Sequence, residues 1–358
     1  MKKKKRIGLL ALMVLLIAIL AGLLIWLFGM DDKPAPADPS QAEETSTVET
    51  SETEKETAAE PTEPQSESEA PETTTAQETT TAQQAEEPVF SLADVTLYSN
   101  YVILYSLDSQ TIWYDLRPNE RIYPASLTKM MTVLVAIEHI GDLSGKISVS
   151  QELYDALYEE GASMAGFMPG EEVTIEDMLY GALLPSGGEA TAALAEYVAG
   201  SEAAFADLMN ERASAIGMTN THFVNASGLH DPDHYSTVYD MMLLVREAIQ
   251  NEDFLRIFTT KSTTSTPTEE HPEGVWLGSS MFRCIGERSL DGLSVLGGKT
   301  GYTDEAGNCL ASLSEADGER FILVSAYAPA WSEGKPYVDD LFNIYTEVLE
   351  YKRALAAQ

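Results

Sequence analysis

The sequence has few cysteines and few basic residues for its length. Its 358 residues include 2 cysteines, Cys284 and Cys309. Two cysteines are too few for a disulfide-stabilised scaffold, so we expect either one bridge or two buried thiols. Lysine and arginine number 22 against 57 aspartates and glutamates, which gives a formal net charge of −35. This acidic excess argues against nucleic acid or anionic lipid as the main partner.

Residues 31–88 have almost no aliphatic or aromatic side chains. Glu, Thr, Ser, Pro, Ala and Gln dominate the segment, and 17 acidic residues stand against Lys33 and Lys55. A chain of this composition cannot bury enough apolar surface to offset its conformational entropy, and like charges extend it. The segment is therefore predicted to be a disordered, extended stalk.

The N-terminus combines a basic tip with a long apolar run. MKKKKR precedes residues 7–30, in which no side chain is charged. The run exceeds the roughly 18 apolar residues that indicate a membrane-spanning helix, and the basic flank places the N-terminus in the cytoplasm. Residues 1–30 are thus predicted to be a single-pass anchor in the cell membrane. A cleaved signal peptide is the alternative, and both interpretations place the rest of the chain outside the cell.

Residues 89–358 contain no Pro/Ser-rich break and no internal repeat, so one domain is expected. A hairpin is predicted near its start and strands near its end, with helices between them. The predicted strands are 101–107, 111–116, 293–296, 308–313 and 321–327, and the predicted helices are 175–184, capped by Thr174, 188–198, 202–216, 237–249, capped by Ser236, and 337–355. This order predicts an α/β (α+β) fold, with a mostly antiparallel sheet covered by helices and a helical insertion.

One predicted helix carries a serine and a lysine among apolar residues. Residues 123–138, YPASLTKMMTVLVAIE, are apolar on nearly every side, which is typical of a core helix, and Pro124 suits its entry. Positions i and i+3 share a face, so the Ser126 hydroxyl and the Lys129 amine can meet. A capping serine beside a lysine that reaches water is the structural alternative, and the pair alone leaves both open.

Two later segments complete a known catalytic pattern. Ser186 begins a predicted helix in LLPSGGEATAALAEYVAG, and Lys299-Thr300-Gly301 follows a strand in VLGGKTGYTDEAGNCLAS. Ser-x-x-Lys, a serine and Lys-Thr-Gly, in this order, are typical of penicillin-binding proteins and serine β-lactamases. Through these segments, PGEEVTIEDMLYGALLPSGGEA and FVNASGLHDPDHYSTVYDM, residues 89–358 resemble the low-molecular-mass D-alanyl-D-alanine carboxypeptidases, serine peptidases that trim the peptidoglycan stem peptide.

The resemblance implies a catalytic role for three side chains. Ser126 would attack the carbonyl of the penultimate D-alanine and form an acyl-enzyme. Lys129 would take the serine proton as a neutral amine, with its pKa lowered by burial and by the nearby cation Lys299. Ser186 would relay a proton to the leaving amine.

The resemblance also implies the binding groups and the partners. Lys299 and Thr300 would hold the terminal carboxylate of the substrate. Backbone N–H groups of Ser126 and Tyr302 would form the oxyanion hole, with Gly301 permitting close approach. The family has the penicillin-binding protein/serine β-lactamase-like fold, with helices on both faces of the sheet. The implied substrate is the stem pentapeptide, β-lactam antibiotics are the implied covalent inhibitors, and no metal or cofactor is implied.

One position departs from the family pattern. The second motif is usually Ser-x-Asn, and Gly188 stands in the place of the asparagine. The missing amide predicts an enzyme with weakened or altered substrate preference, and a catalytically impaired wall-binding scaffold is the non-enzymatic alternative. Glu189 or a water is a possible replacement for the amide.

Four further alternatives are less favoured. A metal-dependent D,D-peptidase would use the histidines and aspartates of GLHDPDHYS, which we interpret instead as a turn into a helix. A class A β-lactamase would need a deacylating glutamate motif that the chain lacks, and a D,D-endopeptidase is also less favoured. Helix 337–355 could lie on a membrane, but its acidic residues favour packing on the core.

Overall fold

The computed structural model describes residues 90–330 and 334–358, which belong to one compact unit. The predicted anchor, residues 1–30, and the predicted stalk, residues 31–88, lie outside these ranges. None of the helices within the two ranges combines the length and the apolar content that crossing a bilayer requires.

A five-stranded sheet with the order β2-β1-β9-β8-β7 forms the centre of the domain, and all of its neighbouring strands pair antiparallel. Two small hairpins pair β3 with β4 and β5 with β6. The strands are β1 (Tyr101–Ser106), β2 (Thr111–Leu116), β3 (Lys146–Ile147), β4 (Val173–Thr174), β5 (Ser262–Thr264), β6 (Trp276–Gly278), β7 (Leu293–Thr303), β8 (Gly307–Ala316) and β9 (Glu319–Ala328).

Nine α-helices and one 3-10 turn surround this sheet in the described ranges. The 3-10 turn is Ala125–Thr128, and the helices are α1 (Lys129–His139), α2 (Gln151–Glu159), α3 (Ile175–Leu183), α4 (Gly188–Ala199), α5 (Glu202–Ala215), α6 (Val238–Ala248), α7 (Glu252–Thr259), α8 (Ser280–Ile285) and α9 (Pro336–Ala356).

The sheet separates two hydrophobic cores, because β1 and its neighbours are apolar on both faces. Ile103 and Tyr105 of β1 pack in a core with α1 and α3 to α7, whereas Val102 and Leu104 pack in the opposite core with α8 and α9. Alternate residues of a strand point to opposite faces, so a continuous apolar run fits a strand covered on both sides. The predicted fold class is therefore confirmed, and α9 packs on the core as expected.

Most predicted element boundaries agree with the structure to within a few residues. Thr174 caps α3 by accepting from the Asp177 N–H at 3.1 Å, as predicted. The predicted Ser236 cap of α6 is wrong: Thr237 accepts from the Asp240 N–H at 3.0 Å, because Ser236 forms a bridge with Ile122 and is still extended. Strand β7 begins where predicted and continues through the Lys-Thr-Gly motif.

Candidate active site

Ser126 and Lys129 lie side by side at the start of the core helix. Ser126 belongs to the 3-10 turn rather than to an α-helix, and Lys129 is the first residue of α1. The Lys129 Nζ donates to Ser126 Oγ at 3.0 Å and to the carbonyl oxygen of Ser227 at 2.5 Å. Only 3% of Lys129 is exposed, so the amine is held inside the protein.

Ser186 and Lys299 form a second pair across the cleft. The Lys299 Nζ donates to Ser186 Oγ at 3.0 Å and to the Thr300 carbonyl at 2.6 Å. The Thr300 hydroxyl is 2.7 Å from the hydroxyl of Ser280, the first residue of α8, which orients it. Ser186 lies two residues before α4 rather than in its first turn.

Strand β7 brings the Lys-Thr-Gly motif against Ser126. A Cβ on Gly301 would lie 2.9 Å from the Ser126 N and 3.1 Å from the Ala125 Cβ. A side chain at position 301 would thus collide with the turn that carries Ser126. Tyr302 follows in the strand, and its hydroxyl donates to Asp304 at 2.6 Å.

Ser186 and Ser126 both lie at positions of unusual backbone. Ser186 has φ of 75°, and Ala125, directly before Ser126, has φ of 47°. Residues other than glycine rarely adopt the left-handed region, and each such residue costs about 1–2 kcal/mol. Such strain persists where the surrounding structure imposes it, which is common at reactive sites.

Burial sets the charge state of the two lysines. It lowers the pKa of Lys129 to about 7, while the nearby Glu189 and Glu202 carboxylates act in the raising direction. The pKa of Lys299 lies well below its ordinary value, first because of burial and then because of the charge of Lys129. Burial is thus the first cause of the lowered pKa at both amines, and Lys299 itself is 0% exposed.

The loop that supplies the Ser227 carbonyl docks closely on the 3-10 turn. Asn225 Oδ1 accepts from the Gly228 N–H at 2.7 Å, and Gly228 has φ of 78°. A Cβ on Gly228 would lie 1.9 Å from the Ala125 carbonyl oxygen. Sequence reasoning missed Ser227, because its contribution is a backbone oxygen and no side-chain pattern reveals it.

We expect Gly228→Ala to lower the rate of the reaction at Ser126 by about 100-fold, since the new methyl group must displace the turn that carries the nucleophile. Gly217→Ala is the matched control: Gly217 has φ of 84°, but no heavy atom lies within 4 Å of the place that its new methyl group would occupy. The control should lose only about 1–2 kcal/mol of stability. Acylation rates and thermal unfolding of both variants check this, and equal rates would contradict it.

The family model described as D-alanyl-D-alanine carboxypeptidase, Peptidase_S11, matches residues 81–329. The chain belongs to this family. The D-alanyl-D-alanine carboxypeptidase DacF of Bacillus subtilis is 34% identical over 259 residues, which cover 70% of this chain and 64% of the relative. DacD of Escherichia coli is 31% identical over 260 residues, which cover 70% of this chain and 63% of the relative. The chain thus spans slightly less than two thirds of these curated relatives.

Solved structures share the fold of this S11 domain. The Francisella tularensis D-alanyl-D-alanine carboxypeptidase DacD superposes with a TM-score of 0.61 at 27% identity, over 75% of this chain and 73% of that one. The Streptomyces K15 DD-transpeptidase has a TM-score of 0.61 at 25% identity, over 73% of this chain and 98% of that one. The resemblance inferred from the motifs is therefore confirmed.

Gly188 shows how this S11 domain accommodates the loss of the motif asparagine. The Gly188 N–H donates to the Ser163 carbonyl at 2.7 Å, and a Cβ at position 188 would lie 3.0 Å from the Ala162 Cβ. Residues 162–163 thus lie where an asparagine side chain would begin. Glu189 does not act as a hydrogen-bond partner of Lys129, because its Oε1 accepts three backbone N–H groups and its Oε2 has no partner.

His234, the second histidine of GLHDPDHYS, is buried and hydrogen-bonded inside the protein. His234 is 2% exposed, its Nε2 lies 2.7 Å from the Thr128 hydroxyl, and its Nδ1 accepts from the Val224 N–H at 3.2 Å. Burial lowers the pKa of His234 to about 4, so the ring stays neutral. Within residues 90–330 and 334–358, His, Cys, Asp and Glu form no group of three or more that could hold a metal.

Both cysteines are free thiols. Cys309 is buried in β8, and burial raises its pKa to about 12. Cys284 is half-buried and accepts from the Tyr337 hydroxyl at 3.0 Å. Of the two alternatives left open by the sequence, the structure has two unbridged thiols.

A cleft of about 790 Å³ adjoins the site and is strongly acidic. Its lining residues Ser227 and Tyr302 adjoin Lys129 and the Lys-Thr-Gly motif. Its charged and titratable lining residues are Glu160, Glu202, His230, Asp231, Asp304 and Glu305. An anionic group is therefore disfavoured in this cleft, and the buried amines beside it are the groups suited to receive a carboxylate.

Proposed function

We propose that this chain is a serine D-alanyl-D-alanine carboxypeptidase that removes the terminal D-alanine from peptidoglycan stem pentapeptides through an acyl-enzyme on Ser126. The observation that carries the proposal is the buried Lys129 amine, 3.0 Å from the Ser126 hydroxyl and with a pKa of about 7. An amine with a pKa near 7 is neutral in a substantial fraction of molecules at that pH and can act as the general base for a neighbouring hydroxyl.

The reaction follows from the placement of these groups. Ser126 Oγ attacks the carbonyl carbon of the penultimate D-alanine while Lys129 accepts the hydroxyl proton. The backbone N–H groups of Ser126 and Tyr302 stabilise the developing oxyanion. Ser186 relays a proton to the amine of the departing D-alanine, so that it leaves neutral and the acyl-enzyme remains. Water then attacks the ester and releases the shortened peptide.

Specificity for the free C-terminus of a peptide substrate would come from β7 and the residues beside it. Lys299 and Thr300 would hold the terminal carboxylate, and the 2.7 Å contact with Ser280 keeps the Thr300 hydroxyl in place. A bound carboxylate favours the charged form of Lys299 and so offsets the cost of its burial. Strand β7 is the last in the sheet order, and an edge strand can pair with an extended peptide through its backbone.

The N-terminal segments support a location at the cell membrane. The basic tip and apolar run of residues 1–30 would form a single-pass anchor with a cytoplasmic N-terminus. The acidic stalk, residues 31–88, would hold the catalytic domain outside the cell, within reach of the peptidoglycan. β-Lactam antibiotics, which imitate the D-alanyl-D-alanine end, would acylate Ser126.

Mass spectrometry of a muropeptide pentapeptide incubated with the detergent-solubilised full-length chain tests this proposal. We expect one terminal D-alanine to be released and the tetrapeptide to accumulate, with no effect of a chelator. Cleavage only of cross-linked dimers would indicate a D,D-endopeptidase, and rapid penicillin hydrolysis a β-lactamase. Loss of activity with a chelator would indicate a metal enzyme. No product and no penicillin adduct would favour the scaffold.

A further inference from the structure

Glu189 is a fully buried carboxylate in the first turn of α4. Its Oε1 accepts the backbone N–H groups of Ala165, Gly166 and Phe167 at 2.7, 2.7 and 3.2 Å. Its Oε2 is also buried and has no hydrogen-bond partner among residues 90–330 and 334–358. A carboxylate is costly to bury unless several donors stabilise it, so these three bonds fix the loop and the side chain to each other.

The loop that Glu189 holds packs against the residues that follow Ser186. The Gly188 N–H donates to the Ser163 carbonyl at 2.7 Å, and a Cβ on Gly187 would lie 2.6 Å from the Ala165 Cβ. We call residues 162–167 the α4 loop. It leaves no room for a side chain at position 187 and little at position 188, so its position and that of the Ser186 segment depend on each other.

Glu189 also affects the pKa of Lys129, the proposed general base. Its charge raises the pKa of Lys129 and so opposes the effect of burial. Three other charged or titratable groups interact electrostatically with Lys129. They are Glu202 of α5, Lys299 of β7 and the buried His234. Glu189 differs from these groups because the same carboxylate also anchors the α4 loop.

We propose that Glu189 is a positioning residue for acylation: its carboxylate fixes the α4 loop in the space left by the missing motif asparagine and lies where its charge acts on Lys129. The inference rests on the proposed function, because it concerns the rate at which Ser126 is acylated. Glu189 itself does not touch the substrate. It acts through the Ser186 segment and through the amine of Lys129.

Glu171 provides a matched control. It is 1% exposed and accepts the backbone N–H of Met168 at 2.7 Å, so it is also a buried carboxylate that fixes a loop. Its other partners are the Thr268 hydroxyl, at 2.5 Å, and His271. Glu171 has no part in the pKa of Lys129. A merely structural effect should therefore appear equally in Glu171→Gln and Glu189→Gln.

The test measures the acylation rate with a fluorescent penicillin between pH 5 and 9, in the full-length chain and its variants. For Glu189→Gln we expect a maximal rate about 10-fold lower, since the neutral amide oxygen holds the three N–H groups less strongly than a carboxylate and the new NH2 group is buried without an acceptor. Removing the negative charge lowers the pKa of Lys129, so the midpoint of the acidic limb should fall by about one pH unit. Glu171→Gln should keep the wild-type midpoint, whatever its stability.

Glu189→Asp separates the charge from the position of the loop. It keeps the negative charge but is too short to hold the α4 loop in place, so we expect the wild-type midpoint with a reduced maximal rate. If Glu189→Gln does not fold, the test rests on Glu189→Asp. A wild-type acylation rate in Glu189→Asp would overturn the proposal. Equal midpoints in Glu189→Gln and Glu171→Gln would also overturn it. A wild-type chain that is not acylated at all would instead refute the proposed function.

Discussion

Replacing Ser126 with alanine is expected to abolish covalent labelling by a fluorescent penicillin and to lower D-alanine release by about 10⁴-fold or more. The expectation follows from chemistry alone, because alanine offers no atom to which the acyl group can be attached. The Ser126 hydroxyl lies 3.0 Å from the Lys129 amine, and Gly301 of β7 packs closely against the Ser126 backbone N–H. Gel fluorescence and a pentapeptide assay give the two readouts.

Ser227→Ala is the control for this variant. Ser227 lies in the same site, but it contributes a carbonyl to Lys129, and alanine keeps that carbonyl. Its hydroxyl makes only long contacts of 3.3 Å with Asn225 and Leu229. Labelling should therefore persist in Ser227→Ala. Equal labelling of Ser126→Ala and the wild type would show that another nucleophile reacts.

Replacing Lys129 with methionine is expected to lower the acylation rate by about 10²- to 10⁴-fold, the usual contribution of a general base. Methionine fills a similar space in the core but accepts no proton. In the wild type the rate should rise with pH through about 7, because the amine must lose its proton before it can accept another. That limb should vanish from the pH profile of Lys129→Met, and its persistence would assign the base to another group.

Stability distinguishes this loss of chemistry from unfolding. Burial lowers the pKa of Lys129 from 10.5 to about 7, so between these values the unfolded chain binds more protons and the folded state gains stability as the pH rises. Below about pH 7 the full cost of the buried charge remains. Lys129→Met removes this cost and should unfold at no lower a temperature than the wild type at pH 7. The exposed Lys146→Met serves as the control for loss of one positive charge.

The local parts of the site could be predicted from the sequence. Ser126 and Lys129 are three residues apart, so the geometry of a single turn brings them together whatever the rest of the chain does. The burial of Lys129 followed from its apolar neighbours on the same helix. The order of the three motifs then indicated the family, and with it the placement of Ser186 and Lys299 near Ser126 and Lys129.

The parts that depend on the path of loops could not be predicted. Glu189 binds backbone groups more than twenty residues earlier, and Ser227 reaches Lys129 across 98 positions through a carbonyl that every residue possesses. Helices α2, α7 and α8 were not predicted, because at 9, 8 and 6 residues they are too short to show a clear helical periodicity. Ser236 was mistaken for a cap because its pairing with Ile122 is a tertiary contact.

The left-handed backbone at Ala125 and Ser186 has a consequence for the history and the engineering of this protein. The strained backbone at these two positions lowers the thermal stability of the chain, and it positions the hydroxyl groups of Ser126 and Ser186. Glycine would relax both positions, and at position 186 it would delete a hydroxyl as well. Selection for thermal stability alone would therefore favour replacements that lower the catalytic rate. Stabilising substitutions are better placed on surfaces distant from these turns.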